Sequence, residues 1–140
     1  MRDESYEFLK TLLSTPGPSG NEEAPAKVWR AEAERFAEVR GDRMGNSFAT
    51  IGAGGSPRIM ISGHIDEIGL MVTHIDDQGL LRFTGVGGWD PQVLVGQRVR
   101  LQTKDGEVMG VIGKKAIHVM ESEERKKVSE IKNLWIDIGA

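Results

Sequence analysis

No cysteine occurs in the 140-residue chain, which excludes a disulfide framework, a thiolate metal site and a cysteine nucleophile together. Any metal would have to be held by imidazole and carboxylate groups, and imidazoles are scarce, with 3 histidines in all. Aromatic side chains are sparse at 6% and are not interleaved with basic residues in the stripe that grips a phosphate backbone. Positive charge is also limited: 18 Lys plus Arg stand against 21 Asp plus Glu, a net charge of -3, and no basic block appears. A nucleic-acid partner is therefore not expected. No run approaches the roughly 18 apolar residues of a membrane helix, and Met1-Arg2-Asp3-Glu4-Ser5 lacks the apolar segment of a secretory signal. These absences predict a soluble, cytoplasmic protein with no membrane partner.

Glycine is abundant. The 18 glycines exceed the usual share of about 7%, and most stand at turn positions between short apolar runs, which predicts many short strands. The length suffices for one domain able to bury about two thirds of its unfolded surface. The one charge run, Glu121-Ser122-Glu123-Glu124-Arg125-Lys126-Lys127, reads as a solvated loop or helix face.

Phe8, Leu9, Leu12 and Leu13 recur at helical spacing, predicting a first helix over 5–13 that Pro16-Gly17-Pro18 stops. Ser19-Gly20-Asn21-Glu22 has the spacing of a capping box, and Pro25 suits an early helical position, so a second helix is predicted from there. Its apolar stripe runs through Val28, Trp29, Ala33, Phe36 and Ala37. Beyond residue 38 the period shortens, and strands are predicted over 44–51, 58–62 and 69–75. Asp76-Asp77-Gln78-Gly79 and Lys104-Asp105-Gly106 each separate two apolar runs and predict two hairpins. Leu134 to Ala140 reads as another strand. Helices thus dominate the first third and antiparallel strands the rest, with a boundary near 66–70.

The chemistry-bearing stretch is Ile59-Met60-Ile61-Ser62-Gly63-His64-Ile65-Asp66-Glu67-Ile68-Gly69, in which an apolar strand delivers a His-x-Asp-Glu cluster into a Gly-flanked turn. An imidazole so held can coordinate a divalent ion, and a carboxylate two residues on lies on the same side of an extended chain. In the functional reading His64 is a metal ligand and Asp66 accepts its other ring N–H, fixing the tautomer. From spacing alone a polar pair at a strand end is an equal reading. Glu67 points away from Asp66 and is read as a partner in a structural ion pair. His74 and His118 lack a ligand-spaced carboxylate other than the turn residues Asp76 and Asp77, and are read as surface or core residues. Gly85-Val86-Gly87-Gly88-Trp89-Asp90-Pro91 lies between strands and opens no helix, which makes it a shaped turn rather than a phosphate loop. Trp89 is open between a packed role and an exposed anchor.

Taken in order, Pro16-Gly17-Pro18-Ser19-Gly20-Asn21-Glu22, Asp42-Arg43-Met44-Gly45-Asn46, Gly63-His64-Ile65-Asp66-Glu67-Ile68-Gly69, Gly87-Gly88-Trp89-Asp90-Pro91-Gln92-Val93 and Gly110-Val111-Ile112-Gly113 resemble the TET-type, family-42 metallo-aminopeptidases. Members are called glutamyl or leucyl aminopeptidases and have also been labelled endoglucanases. That label needs a pair of acidic residues flanking a cleft, which the spacing does not identify. The resemblance implies a hydrolase of N-terminal residues of peptides, with two divalent ions, zinc or cobalt, and a bridging water whose proton a carboxylate base removes. It carries His64 over as a metal ligand and Asp66 as the catalytic residue that supports it.

The resemblance further implies an α/β fold in two parts. Residues 1–66 would be the start of a zinc-peptidase-like catalytic domain, and 67–140 most of a β-rich, barrel-like dimerisation domain, truncated within it. The family's bridging Asp, general-base Glu and remaining ligands would lie beyond residue 140. The isolated chain is then expected to bind metal weakly and to be inactive, with the apolar faces around Ile59–Ile61 and Trp29 exposed or covered by a partner, and self-association is expected. The alternative is a non-catalytic β-rich assembly module.

Overall fold

Asp3–Ser14 forms the first helix, α1, and Glu23–Ala33 the second, α2. The predicted capping box is not formed. Glu22 is the cap residue of α2 without a side-chain cap bond, its carboxylate instead accepting the Gly20 N–H, and the Ser19 hydroxyl points to a distant acceptor described below. The α2 stripe ends at Ala33, short of Phe36, which is exposed. A hairpin of β1 (Glu38–Gly41) and β2 (Ser47–Thr50) follows. Its turn is built on Asp42, whose carboxylate accepts the N–H groups of Met44 and Asn46. Arg30 of α2 donates to Ser47 Oγ on β2 at 3.0 Å.

The structure is a computed structural model describing residues 1–140, and the chain divides into two units, Met1–Glu67 and Ile68–Ala140. The second unit is a five-stranded antiparallel sheet: β3 (Gly69–Ile75), β4 (Leu81–Val86), β5 (Arg98–Thr103), β6 (Gly106–Lys114) and β7 (Leu134–Asp137) in the order β3-β4-β7-β6-β5. Both predicted hairpins form, β3 with β4 and β5 with β6, and β7 joins them. The sheet is open rather than closed into a barrel, because closure would require β3 to pair with β5 and these are its two edges.

Period-two patterning puts the core on one face. Leu81 and Phe83 of β4, Ile112 of β6, and Leu134 and Ile136 of β7 are buried with Leu94. Leu94 comes from a short helix, α3 (Pro91–Leu94), capped by Asp90 accepting from Gln92 N–H. The Gly-Gly-Trp-Asp-Pro turn therefore does open a helix, contrary to the sequence reading, since Asp90-Pro91 supplies a cap and a preset first helical residue. Trp89 packs against this core and donates its indole N–H to Gly69 O at 2.8 Å, the packed alternative. Glu121 and Glu124 cap one short turn of helix, α4 (Ser122–Arg125), in the solvated charge run.

The strand predicted over 58–62 is absent. Residues 56–65 form no ladder or turn hydrogen bond between backbone groups, and Ile59, Met60 and Ile61 are 83%, 86% and 94% exposed. The residues have strand composition, but a strand exists only against a neighbour, and none of the seven strands lies beside them.

Candidate functional site

His64 and Asp66 stand at the end of this unpaired segment and are brought together: His64 Nδ1 lies 2.9 Å from Asp66 Oδ1. The other carboxylate oxygen, Oδ2, accepts the Ser19 hydroxyl at 2.5 Å. The Ser19 hydrogen bond, followed by that from His64, holds the Asp66 carboxyl below the usual carboxylate range. An ionised carboxylate only accepts, so this contact needs a proton on His64 Nδ1, which in the neutral ring leaves the lone pair on Nε2. The His64 side chain is 84% exposed against 37% for Asp66, so that lone pair faces solvent while the orienting group is partly sheltered.

The loop before α2 also holds the adjacent Glu67 by its backbone. Glu67 N–H donates to Gly17 O at 2.9 Å, and Ser19 N–H donates to Glu67 O at 3.2 Å, the contacts of a short parallel bridge between Pro18 and Glu67. The Glu67 carboxylate accepts the Gly17 N–H at 3.0 Å. Glu67 is structural, as read, but its partner is a backbone amide rather than a cation. Gly17 is required there because a side chain would run into the ring of Pro25. Ser19 was missed as a site residue; its three-residue spacing to Glu22 pointed to a local role, and nothing local marks a partner 47 residues away.

A zinc centre of the hydrolytic type takes three protein ligands and leaves one position open. His64 suits one of these, having a free Nε2 and a carboxylate on its other nitrogen. The chain gathers no three His, Asp or Glu side chains able to hold an ion, so His64 and Asp66 by themselves do not make a complete centre. His74 and His118 are exposed and remote in sequence from this pair. A recess of about 480 Å³ is lined by Arg98, Met109, Val111, Asp137 and Ile138 among others and contains neither His64 nor Asp66.

The family model described as M42 glutamyl aminopeptidase matches residues 45–140. The chain belongs to the M42 glutamyl aminopeptidase family. Lysyl aminopeptidase of Pyrococcus furiosus is 33% identical over 138 residues, a stretch covering 96% of this chain and 40% of that protein. Among solved structures, a TET aminopeptidase from the marine sediment archaeon Thaumarchaeota archaeon SCGC AB-539-E09 is 42% identical with a TM-score of 0.92, covering 99% of this chain and 39% of that one. The TET1 peptidase of Pyrococcus horikoshii, which assembles into a tetrahedron or a large octahedral shell, is 41% identical with a TM-score of 0.83, covering 96% and 40%. The M42 chain described here thus spans about two fifths of the length of these relatives. No helix in it is long and apolar enough to cross a membrane.

Proposed function

We propose that this chain is the N-terminal part of a metal-dependent M42 aminopeptidase that removes N-terminal residues from peptides, and that it is inactive by itself. The observation that carries the reading is the 2.9 Å contact between His64 Nδ1 and Asp66 within a chain that matches aminopeptidases over nearly its whole length. His64 serves as a ligand through Nε2 to one of two divalent ions, zinc or cobalt. Asp66 holds the imidazole in the tautomer that makes this possible. The metal, when bound, would supply a polarised water; this chain's share is to aim one ligand, and no base for that water lies in the His64–Asp66 arrangement. Residues 1–66 contribute to a catalytic α/β domain and 67–140 to a β-rich dimerisation domain, giving a cytoplasmic homo-oligomer. The assemblies of the Pyrococcus horikoshii relative support self-association.

The test is metal content after gel filtration, with hydrolysis of leucyl and glutamyl anilides assayed on the same fractions, for the wild type and His64→Ala. The expected result is an oligomer without anilide hydrolysis that takes up Zn²⁺ weakly, the uptake falling in His64→Ala. Metal and activity that co-elute and are both lost in His64→Ala would overturn the claim of inactivity. An oligomer whose Zn²⁺ uptake is the same with and without His64 would favour a non-catalytic assembly module.

A further inference from the structure

We infer that Ser19 is a positioning residue: its hydroxyl fixes the Asp66 carboxylate in the one orientation that leaves His64 Nε2 free to meet a ligand. This rests on the reading of His64 as a metal ligand but concerns a different residue and a different observable. Neither the backbone around it nor burial holds His64 in place. The ten residues before Asp66 form no ladder or turn hydrogen bond between backbone groups, and the imidazole is largely in solvent. Its only hydrogen-bond partner is Asp66 Oδ1.

A carboxylate with one partner turns freely about its terminal torsion, which is broad and two-fold. Asp66 has two. His64 occupies Oδ1 and Ser19 occupies Oδ2, so both oxygens are assigned and the plane of the group is set. The Ser19 hydroxyl sits on a loop that is itself tied to the next residue, Glu67, through its own N–H and through both the N–H and C=O of Gly17. Orientation therefore passes from the Gly17–Ser19 backbone to the Ser19 hydroxyl, then to Asp66, then to the imidazole.

A local capping role for Ser19 is excluded, since α2 is capped at Glu22 without a side-chain bond. An exposed neutral imidazole left to itself favours the tautomer protonated at Nε2, the nitrogen a metal would need. The Ser19–Asp66 pair reverses that preference by demanding a proton on Nδ1.

The experiment is a long-range ¹H–¹⁵N correlation on the full, metal-free chain with ¹⁵N-labelled histidine, at a pH about 1.5 units above the ordinary imidazole value near 6.5, with His64→Ala to assign the signals. His118, exposed and without a hydrogen-bonded partner, is the internal reference. In the wild type His64 should be mainly Nδ1-protonated. In Ser19→Ala that form should fall to a minority, approaching the His118 pattern, while Ser19→Thr restores it and Asp66→Ala abolishes it. Amide signals of Gly17 and Glu67, followed in uniformly ¹⁵N-labelled samples of the same variants, that stay in place report that the loop has kept its fold. A Ser19→Ala spectrum with the wild-type tautomer, alongside a shifted Asp66→Ala spectrum, overturns the inference, as does a wild type that is already Nε2-protonated. Zn²⁺ titration followed at His64 Nε2 separates the two claims. A tautomer change without any zinc response leaves the role of Ser19 standing and removes the ligand reading, whereas a zinc response with no effect of Ser19→Ala does the reverse.

Discussion

Asp76 carries more of the second unit's turn geometry than any other side chain. Its Oδ1 accepts the N–H groups of Gln78 and Leu80 and its Oδ2 accepts two N–H groups of Arg82 at 2.8 and 3.0 Å. Burial pushes its carboxyl up, but the Arg82 hydrogen bond and the two backbone donors outweigh that and leave it below the ordinary value. A carboxyl whose folded value is depressed stabilises the fold above its unfolded value, near 4, and loses that contribution as pH falls through the folded value. The thermal midpoint of Asp76→Asn is therefore expected below that of the wild type at neutral pH, with the gap closing below about pH 4. A gap that stays constant over that range in thermal unfolding would show that the charge is immaterial. This interaction was legible, since an Asp opening a Gly-containing turn is a local pattern. So was the His64–Asp66 pair, two residues apart. The Ser19–Asp66 contact was not, because Ser19 also fitted a capping box and only the folded chain decides between the two.

At the scale of elements, the same distinction separates what could be read from what could not. The hairpins at residues 76–79 and 104–106 follow from turn chemistry within a few residues, and both formed. The strand expected at 58–62 depends on a partner that no local pattern supplies. The sheet order was also hidden, because β7 reaches both hairpins by pairing with β4 and β6. Ile136 on β7 is where the two pairings meet: it stands opposite Leu81 on one side and Ile112 on the other, and its methyl fills the space a side chain at Gly110 would need. Ile136→Ala should lower the stability of the second unit by about 2–5 kcal/mol, measured by chemical denaturation. A loss under about 1 kcal/mol would mean that the neighbours collapse into the space.

On the scale of the whole molecule, the two units differ in what holds them. The second has six large buried apolar side chains, whereas the buried apolar residues of the first are small, chiefly Pro25, Ala26 and Ala33. Cooperative units with fewer buried contacts open at lower free energy. Denaturant is therefore expected to unfold residues 1–67 first. Trp29 reports on the first unit and Trp89 and Trp135 on the second, so fluorescence of Trp29→Phe should follow the later transition alone, and residues 68–140 produced separately should keep their β circular dichroism. Coincident transitions with every tryptophan would show one cooperative unit instead.

The position of β7 between two finished hairpins also sets a timetable. Residues 69–86 and 98–114 can each close into a hairpin within about 1–10 μs of leaving the ribosome. The strand that joins them, Leu134–Asp137, emerges later, after a delay on the order of seconds at ordinary rates of synthesis. For that interval Leu81, Phe83 and Ile112 lack Leu134 and Ile136, the β7 side chains of their cluster, and the nascent chain is most open to chaperones when two thirds of its second half is already made.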